Sequence, residues 1–178
     1  MQFGLLRRDS RGDLEVLFRS TFRSTEGEQE GNIIGDLASK LAATIDNADV
    51  FCFGAFQEPS IIGAVFLTRL RFEDDALLYL LAPVAVSTLH QRAGIGSSLI
   101  NFALNFIAKA GAEAVVTYGD PAFYARLGFK PLSERVLRAP MELSMPFGWL
   151  AQSLTNKPIQ TRHGRPSCVE AFRNPAYW

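Results

Sequence analysis

The stretch HQRAGIGSS, His90 to Ser98, places two glycines one residue apart, an arginine and a pair of serines at the mouth of a long helical pattern. Those residue types at that spacing suit the holding of an anion. The first turn of a helix has N–H groups without internal partners, and they carry partial positive charge reinforced by the helix dipole. Gly94 and Gly96 would let the backbone approach closely and permit a positive φ. Arg92 would add charge, and Ser97 or Ser98 a hydroxyl donor. The plainer reading is a glycine-containing loop that starts a helix, and taken alone the turn favours it. Two nucleotide signatures fail outright. A P-loop needs a Gly-Lys pair, and the chain has none. A Rossmann fingerprint needs a third glycine or alanine, but Gly96 is followed by Ser97, Ser98 and Leu99. Asp120 could imitate the ribose-binding acid of that fold, yet it works better as a helix cap.

Other reactive residues are sparse. His90 and His163 are far apart and have no clustered partners, so no metal site is expected. No G-x-S-x-G nucleophile elbow is present. Glu26, Glu28 and Glu30 read as a solvated acidic loop, and Glu73, Asp74 and Asp75 as a hairpin turn. Cys52 lies in the apolar stretch DVFCFGAF and reads as an inert core thiol. Trp149 and Trp178 are expected to seal the C-terminal segment onto a sheet, the lining of a ligand pocket being the other reading.

The elements that must position the turn follow from periodicity. QFGLL is a candidate strand. DSRGDLEVLFRSTF is helical, with Leu14, Val16, Leu17 and Phe22 on an apolar face. STEGEQEGN is expected to be a loop. Ile34, Leu37, Leu41 and Ile45 then make a second helical stripe. VFCFGAF and IIGAVFLTRLRF read as strands joined by the turn EPS. LLYLLAPVAV is apolar throughout, as in a central strand covered on both faces. The helix after the turn carries Ile95, Leu99, Phe102, Phe106 and Ala110 as its stripe, with Ile100, Leu104 and Ile107 beside it, and Gly111 ends it. AEAVVTYG is the next strand. Asp120-Pro121 opens a short helix that Gly128 closes. MELSMPF is a late strand candidate. Strand, turn, helix, strand is a βαβ unit within a hairpin-rich chain, which predicts an α/β fold with a mixed sheet.

Composition bounds the function. A chain of 178 residues, 48% hydrophobic and 20% charged, is expected to form one domain with a substantial core. Zero formal net charge supplies no global field for nucleic acid or an acidic membrane. No signal peptide or membrane-spanning run is read, so a cytoplasmic location is the expectation.

VSTLHQRAGIG resembles the acyl-CoA loop of the GNAT N-acetyltransferases, whose pattern is Q/R-x-x-G-x-G/A; Gln91, Gly94 and Gly96 occupy its positions. Some thirty residues on, GDPAFYARLGF resembles the family's second signature, with Tyr124, Gly128 and Phe129. The segments LAPVAV and GDPAFYARLGF look most like a bacterial subgroup of the family. The resemblance is dense from about Leu80 to Phe129 and thin after Met141.

The resemblance implies a GNAT-like domain over 1–178, with N-terminal elements to about 75, an acyl-CoA core over 76–130 and C-terminal strands over 131–178. It implies a mostly antiparallel sheet with a splayed central strand and helices on both faces. Acetyl-CoA would be the co-substrate, with no metal, and the acceptor a small-molecule or peptide amine. A homodimer is compatible with the family. By match of position, Val84, Ala85 and Val86 would receive the pantetheine arm. The N–H groups of Arg92, Ala93, Gly94, Ile95, Gly96 and Ser97 would take the diphosphate. Tyr124 would protonate the leaving thiolate, and no carboxylate base is visible on the central strand. Two rivals stand beside this reading: a module that senses acyl-CoA without turnover, and a dinucleotide-binding oxidoreductase.

Overall fold

The computed structural model describes residues 1–178. Seven strands form a sheet in the order β1-β2-β3-β4-β5-β7-β6. They are β1 (Gln2–Leu5), β2 (Val50–Gln57), β3 (Ser60–Leu70), β4 (Leu78–Val86), β5 (Ala114–Tyr118), β6 (Lys130–Pro131) and β7 (Trp149–Ser153). The helices are α1 (Arg11–Glu26), α2 (Glu28–Ala42), α3 (Ile95–Lys109) and α4 (Pro121–Ala125). β4 and β5 pair in parallel, whereas β1/β2, β5/β7 and β6/β7 are antiparallel. The βαβ unit is therefore β4-α3-β5, as its sequence pattern predicts. The sheet is mixed and mostly antiparallel. No helix is long and apolar enough to cross a membrane.

Contacts divide the chain into two compact units. The first comprises Met1–Leu67 and Pro83–Ala103. Its helix pair corrects one expectation. STEGEQEGN is helical except at Gly27, whose φ of 100° separates α1 from α2. Glu and Gln are good helix formers, so polarity there does not mean loop. The two helices approach through glycines on α2. A Cβ on Gly31 would stand 2.8 Å from the Arg19 carbonyl, and one on Gly35 would stand 2.8 Å from the Arg19 Cβ. Arg19 then reaches Glu15, Asn32 and Asp36. On α1, Leu14, Leu17 and Phe18 are buried, but Val16 is 67% exposed and does not belong to the apolar face. Phe18 packs on Phe66, and Phe102 sits against Phe3 and Phe53.

The second unit comprises Thr68–Ala82 and Leu104–Trp178. Helix α3 runs through both units. It buries Ile95, Leu99, Ile100, Ala103, Leu104 and Ile107, so its core face is rotated from the expected stripe, and Phe106 is partly exposed. MELSMPF is not a strand. Pro140 precedes it and Pro146 lies within it, and proline cannot donate to a ladder. The strand forms after the second proline, at Trp149–Ser153. The tail beyond it is held by contacts rather than by regular structure. Arg162 bonds Asp74 at 2.8 Å and Glu113 at 3.0 Å. Arg71 and Ser167 exchange two backbone bonds. Trp178 packs on Trp149, Tyr118 and Phe172, and its indole donates to the Phe172 carbonyl. Both tryptophans thus seal the segment, as expected. Cys52 and Cys168 are free and buried.

Candidate active site: a glycine loop and a half-buried tyrosine

The glycine loop lies in the first unit. β4 is buried on both faces over Leu78–Leu81, then alternates: Ala82, Val84 and Val86 are half-buried while Pro83 and Ala85 are buried. Just past the strand, the Ser87 N–H donates to the Ile62 carbonyl at 2.8 Å. A 3-10 turn over Thr88–His90 follows. Gln91 folds back and its Nε2 donates to the Val86 carbonyl at 3.0 Å, tying the loop to the strand that feeds it. Arg92 (φ 62°) and Gly94 (φ 75°) are left-handed. For an arginine this conformation costs on the order of 1 kcal/mol, so the loop is a held shape rather than a relaxed one.

The first intrahelical bond of α3 runs from the Ser98 N–H to the Gly94 carbonyl at 3.0 Å. The N–H groups of Ile95, Gly96 and Ser97 therefore precede it and need outside partners. Arg92, Ala93 and Gly94 are exposed. A Cβ on Gly94 would meet nothing within 4 Å, and one on Gly96 would lie 3.5 Å from Val86 Cγ2. The glycines thus leave bare backbone at the helix mouth, with space around it. His90 is half-buried with its Nδ1 enclosed.

The tyrosine lies in the second unit, on α4. Asp120 caps that helix as its sequence predicts: Oδ1 accepts the Ala122 N–H at 2.9 Å. The Tyr124 carbonyl accepts the N–H groups of Leu127 and Phe129, and its ring meets Phe123 and Phe129 edge-on. Gly128, at φ 88°, turns the chain out of the helix. Burial pushes the Tyr124 phenol above its ordinary value; the nearby Thr117 hydroxyl opposes this, and the Asp120 charge adds to it. The phenol keeps its proton at neutral pH.

Thr117 escaped the sequence reading. It is fully buried in β5, and its Oγ1 donates to the Leu81 carbonyl at 2.8 Å. The β4/β5 ladder runs from Leu78↔Ala114 to Leu80↔Val116, while β5 continues along β7 to Tyr118↔Trp149. A side-chain hydroxyl thus satisfies the first β4 carbonyl beyond the ladder. A lone polar residue in the apolar run AVVTY was the available signal. Pro83 lies past the ladder's end, so it removes no bond from it. No group of three or more His, Cys, Asp or Glu gathers in a way that could hold a metal.

Comparison with known proteins finds acetyltransferases. Residues 48–131 match a family model described as an acetyltransferase (GNAT) domain. The chain is 30% identical over 141 residues to the uncharacterized N-acetyltransferase YjhQ of Escherichia coli K12, covering 76% of this chain and 77% of that one. It is 32% identical over 104 residues to the uncharacterized N-acetyltransferase YhbS of the same strain, covering 58% and 56%. The crystal structure of E. coli YhbS in complex with CoA shares the fold at a TM-score of 0.79 and 22% identity, over 97% of this chain and 92% of that one. A Brucella melitensis GNAT acetyltransferase in complex with acetyl-CoA aligns at a TM-score of 0.66 and 21% identity, over 96% and 97%. The chain belongs to the GNAT family of N-acetyltransferases.

Proposed function

We propose that the protein transfers an acetyl group from acetyl-CoA to a primary amine by direct attack, and that the groups described above divide the work. The observation that carries this reading is the loop. Gln91 ties it to β4, two left-handed residues shape it, and it presents bare N–H groups at the start of a fifteen-residue helix. Those N–H groups, from Arg92 to Ser97, suit a diphosphate, and the Arg92 side chain adds a positive charge. The stretch Val84–Val86, half-buried at its two valines, offers strand backbone to the pantetheine arm.

The reaction joins the amine nitrogen to the thioester carbonyl carbon and breaks the carbon–sulfur bond. The amine must be neutral to attack, and its second proton leaves as the amide forms. Negative charge gathers first on the carbonyl oxygen, which a strand N–H near Val84 would stabilise. It passes next to the departing sulfur, where the Tyr124 phenol supplies a proton and later regains one from solvent. A phenol raised above its ordinary pKa stays protonated through the working range. No carboxylate on β4 serves as base, so the amine sheds its proton to water.

Calorimetric titration with acetyl-CoA, with NADH as control, tests the reading. One-to-one acetyl-CoA binding and amine-dependent release of free thiol are expected. Binding without thiol release for any amine would leave a sensing module. Tight NADH binding with none for acetyl-CoA would overturn the reading.

A further inference from the structure

A hollow of about 380 Å³ opens beside the C-terminal end of β5. Its walls are Tyr118, Asp120, Pro121, Met145 and Phe147, and the backbone of Gly119 and Gly148 completes it. We propose that this hollow is the acceptor subsite, and that it selects a primary amine carried on a compact apolar or aromatic group. The proposal rests on the acyl-transfer reading above.

Strand alternation places the hollow. Successive residues point to opposite faces. Thr117 and Gly119 face Tyr124: the Thr117 hydroxyl acts on its phenol, and a Cβ on Gly119 would stand 2.9 Å from its ring. Tyr118 and Asp120 face the other way, into the hollow. The wall between the hollow and the catalytic phenol is therefore a residue without a side chain.

The walls are built. The Tyr118 hydroxyl accepts the Met145 N–H at 2.6 Å and lies 3.2 Å from Ser144 Oγ. Trp178 stacks on the Tyr118 ring. Tyr118 thus fixes the loop that carries Met145 and Phe147. Both of those side chains remain uncovered, at 55% and 69% exposure. Two large apolar groups held open beside a hollow are a surface waiting for an apolar ligand.

Charge narrows the ligand further. Asp120 is the one carboxylate in the lining, and its Oδ1 is engaged by the Ala122 N–H. One oxygen remains, which suits one ammonium. A polyamine or an aminosugar would bring several cations to a single carboxylate and apolar walls. Asp120 is exposed, so its pairing with the ammonium is weak enough to let the proton go before attack.

The test measures thiol release from acetyl-CoA with 2-phenylethylamine, spermidine and kanamycin as acceptors. The expected result is a kcat/KM for 2-phenylethylamine at least tenfold above the other two. Phe147→Ala and Met145→Ala should each raise its KM severalfold without moving the KM for acetyl-CoA. Asp120→Asn keeps the helix cap and should raise the amine KM as well. Preference for spermidine or kanamycin, or an unmoved amine KM in both alanine variants, would overturn the proposal. If no amine releases thiol, the acyl-transfer reading fails and the hollow is judged by binding alone. Saturable 2-phenylethylamine binding by saturation-transfer NMR, weakened by Phe147→Ala, would then support the subsite, and no binding would overturn it.

Discussion

The ring of Tyr124 lies so close over Gly119 that a Cβ at that glycine would stand 2.9 Å from Cε2. Phe123 and Phe129 brace the ring, so it has little room to retreat. Gly119→Ala should displace the phenol by a fraction of an ångström. We expect kcat to fall roughly tenfold or more, since small misplacements of reacting groups are costly. Calorimetry should find acetyl-CoA affinity unchanged.

Tyr124→Phe removes the proposed proton donor and keeps the ring. A loss of roughly 100-fold in kcat is expected, with acetyl-CoA affinity nearly intact. The pH profile carries the sign. Burial raises the phenol's pKa above its ordinary value of 10.0, so the donor form is complete below that and is lost only as pH rises through the higher folded value. No alkaline decline from this group should appear below about pH 10 in a kcat profile.

Thr117→Val keeps the shape of the side chain and deletes its hydroxyl. The Leu81 carbonyl would then be buried without its partner, at a cost of about 1–3 kcal/mol. Thr117→Ser should restore most of the stability. Urea denaturation of the three proteins distinguishes a hydrogen-bond loss from a packing loss, because serine lacks the methyl but keeps the donor.

Gly96→Ala separates folding from binding. A Cβ there would make only an ordinary contact with Val86, and alanine favours a helix over glycine by about 1 kcal/mol. Thermal stability should hold or rise. Acetyl-CoA affinity should drop, because the added methyl blocks close approach of the diphosphate to the backbone. A variant weakened in both would remove Gly96 from the loop's chemistry.

Asp46 links α2 to β2. Its burial would raise the carboxyl's pKa, but N–H bonds from Val50, Ala48 and Asp49 outweigh that and hold it below the ordinary value. A lowered folded pKa means that this stabilisation is present above the unfolded value, near 3.9, and is lost as pH falls through the folded one. Asp46→Ala should cost about 1 kcal/mol at pH 7 by denaturant melting, less for its exposure, and progressively less below pH 4.

The parts of this site that were legible in the sequence are those made by neighbours along the chain. Asp120 caps a helix two residues away, and Gly94 shapes the turn in which it sits. Gln91 was legible as a position in a motif, whereas its grip on Val86 needed the fold. The α1–α2 junction was misread because its helices are secured by Gly31 and Gly35 against Arg19, a contact with no periodic trace. The tail defeated pattern reading for the same reason: Arg162 finds Asp74 across 88 positions of sequence. Thr117 is buried and polar for a carbonyl 36 residues earlier, which no local rule announces.

The two cysteines have a practical consequence for the chemistry proposed here. Cys52 is wholly enclosed and its thiol is pushed well above its ordinary value by burial; Cys168 is also enclosed and shifted the same way. Thiolate, not thiol, attacks a disulfide reagent. The folded protein should therefore react far more slowly with such reagents than free coenzyme does, so the sulfur they detect during turnover is chiefly that of liberated coenzyme. Denaturant uncovers two further equivalents per chain, so one colour reaction reports catalysis on the native protein and loss of structure on the same sample.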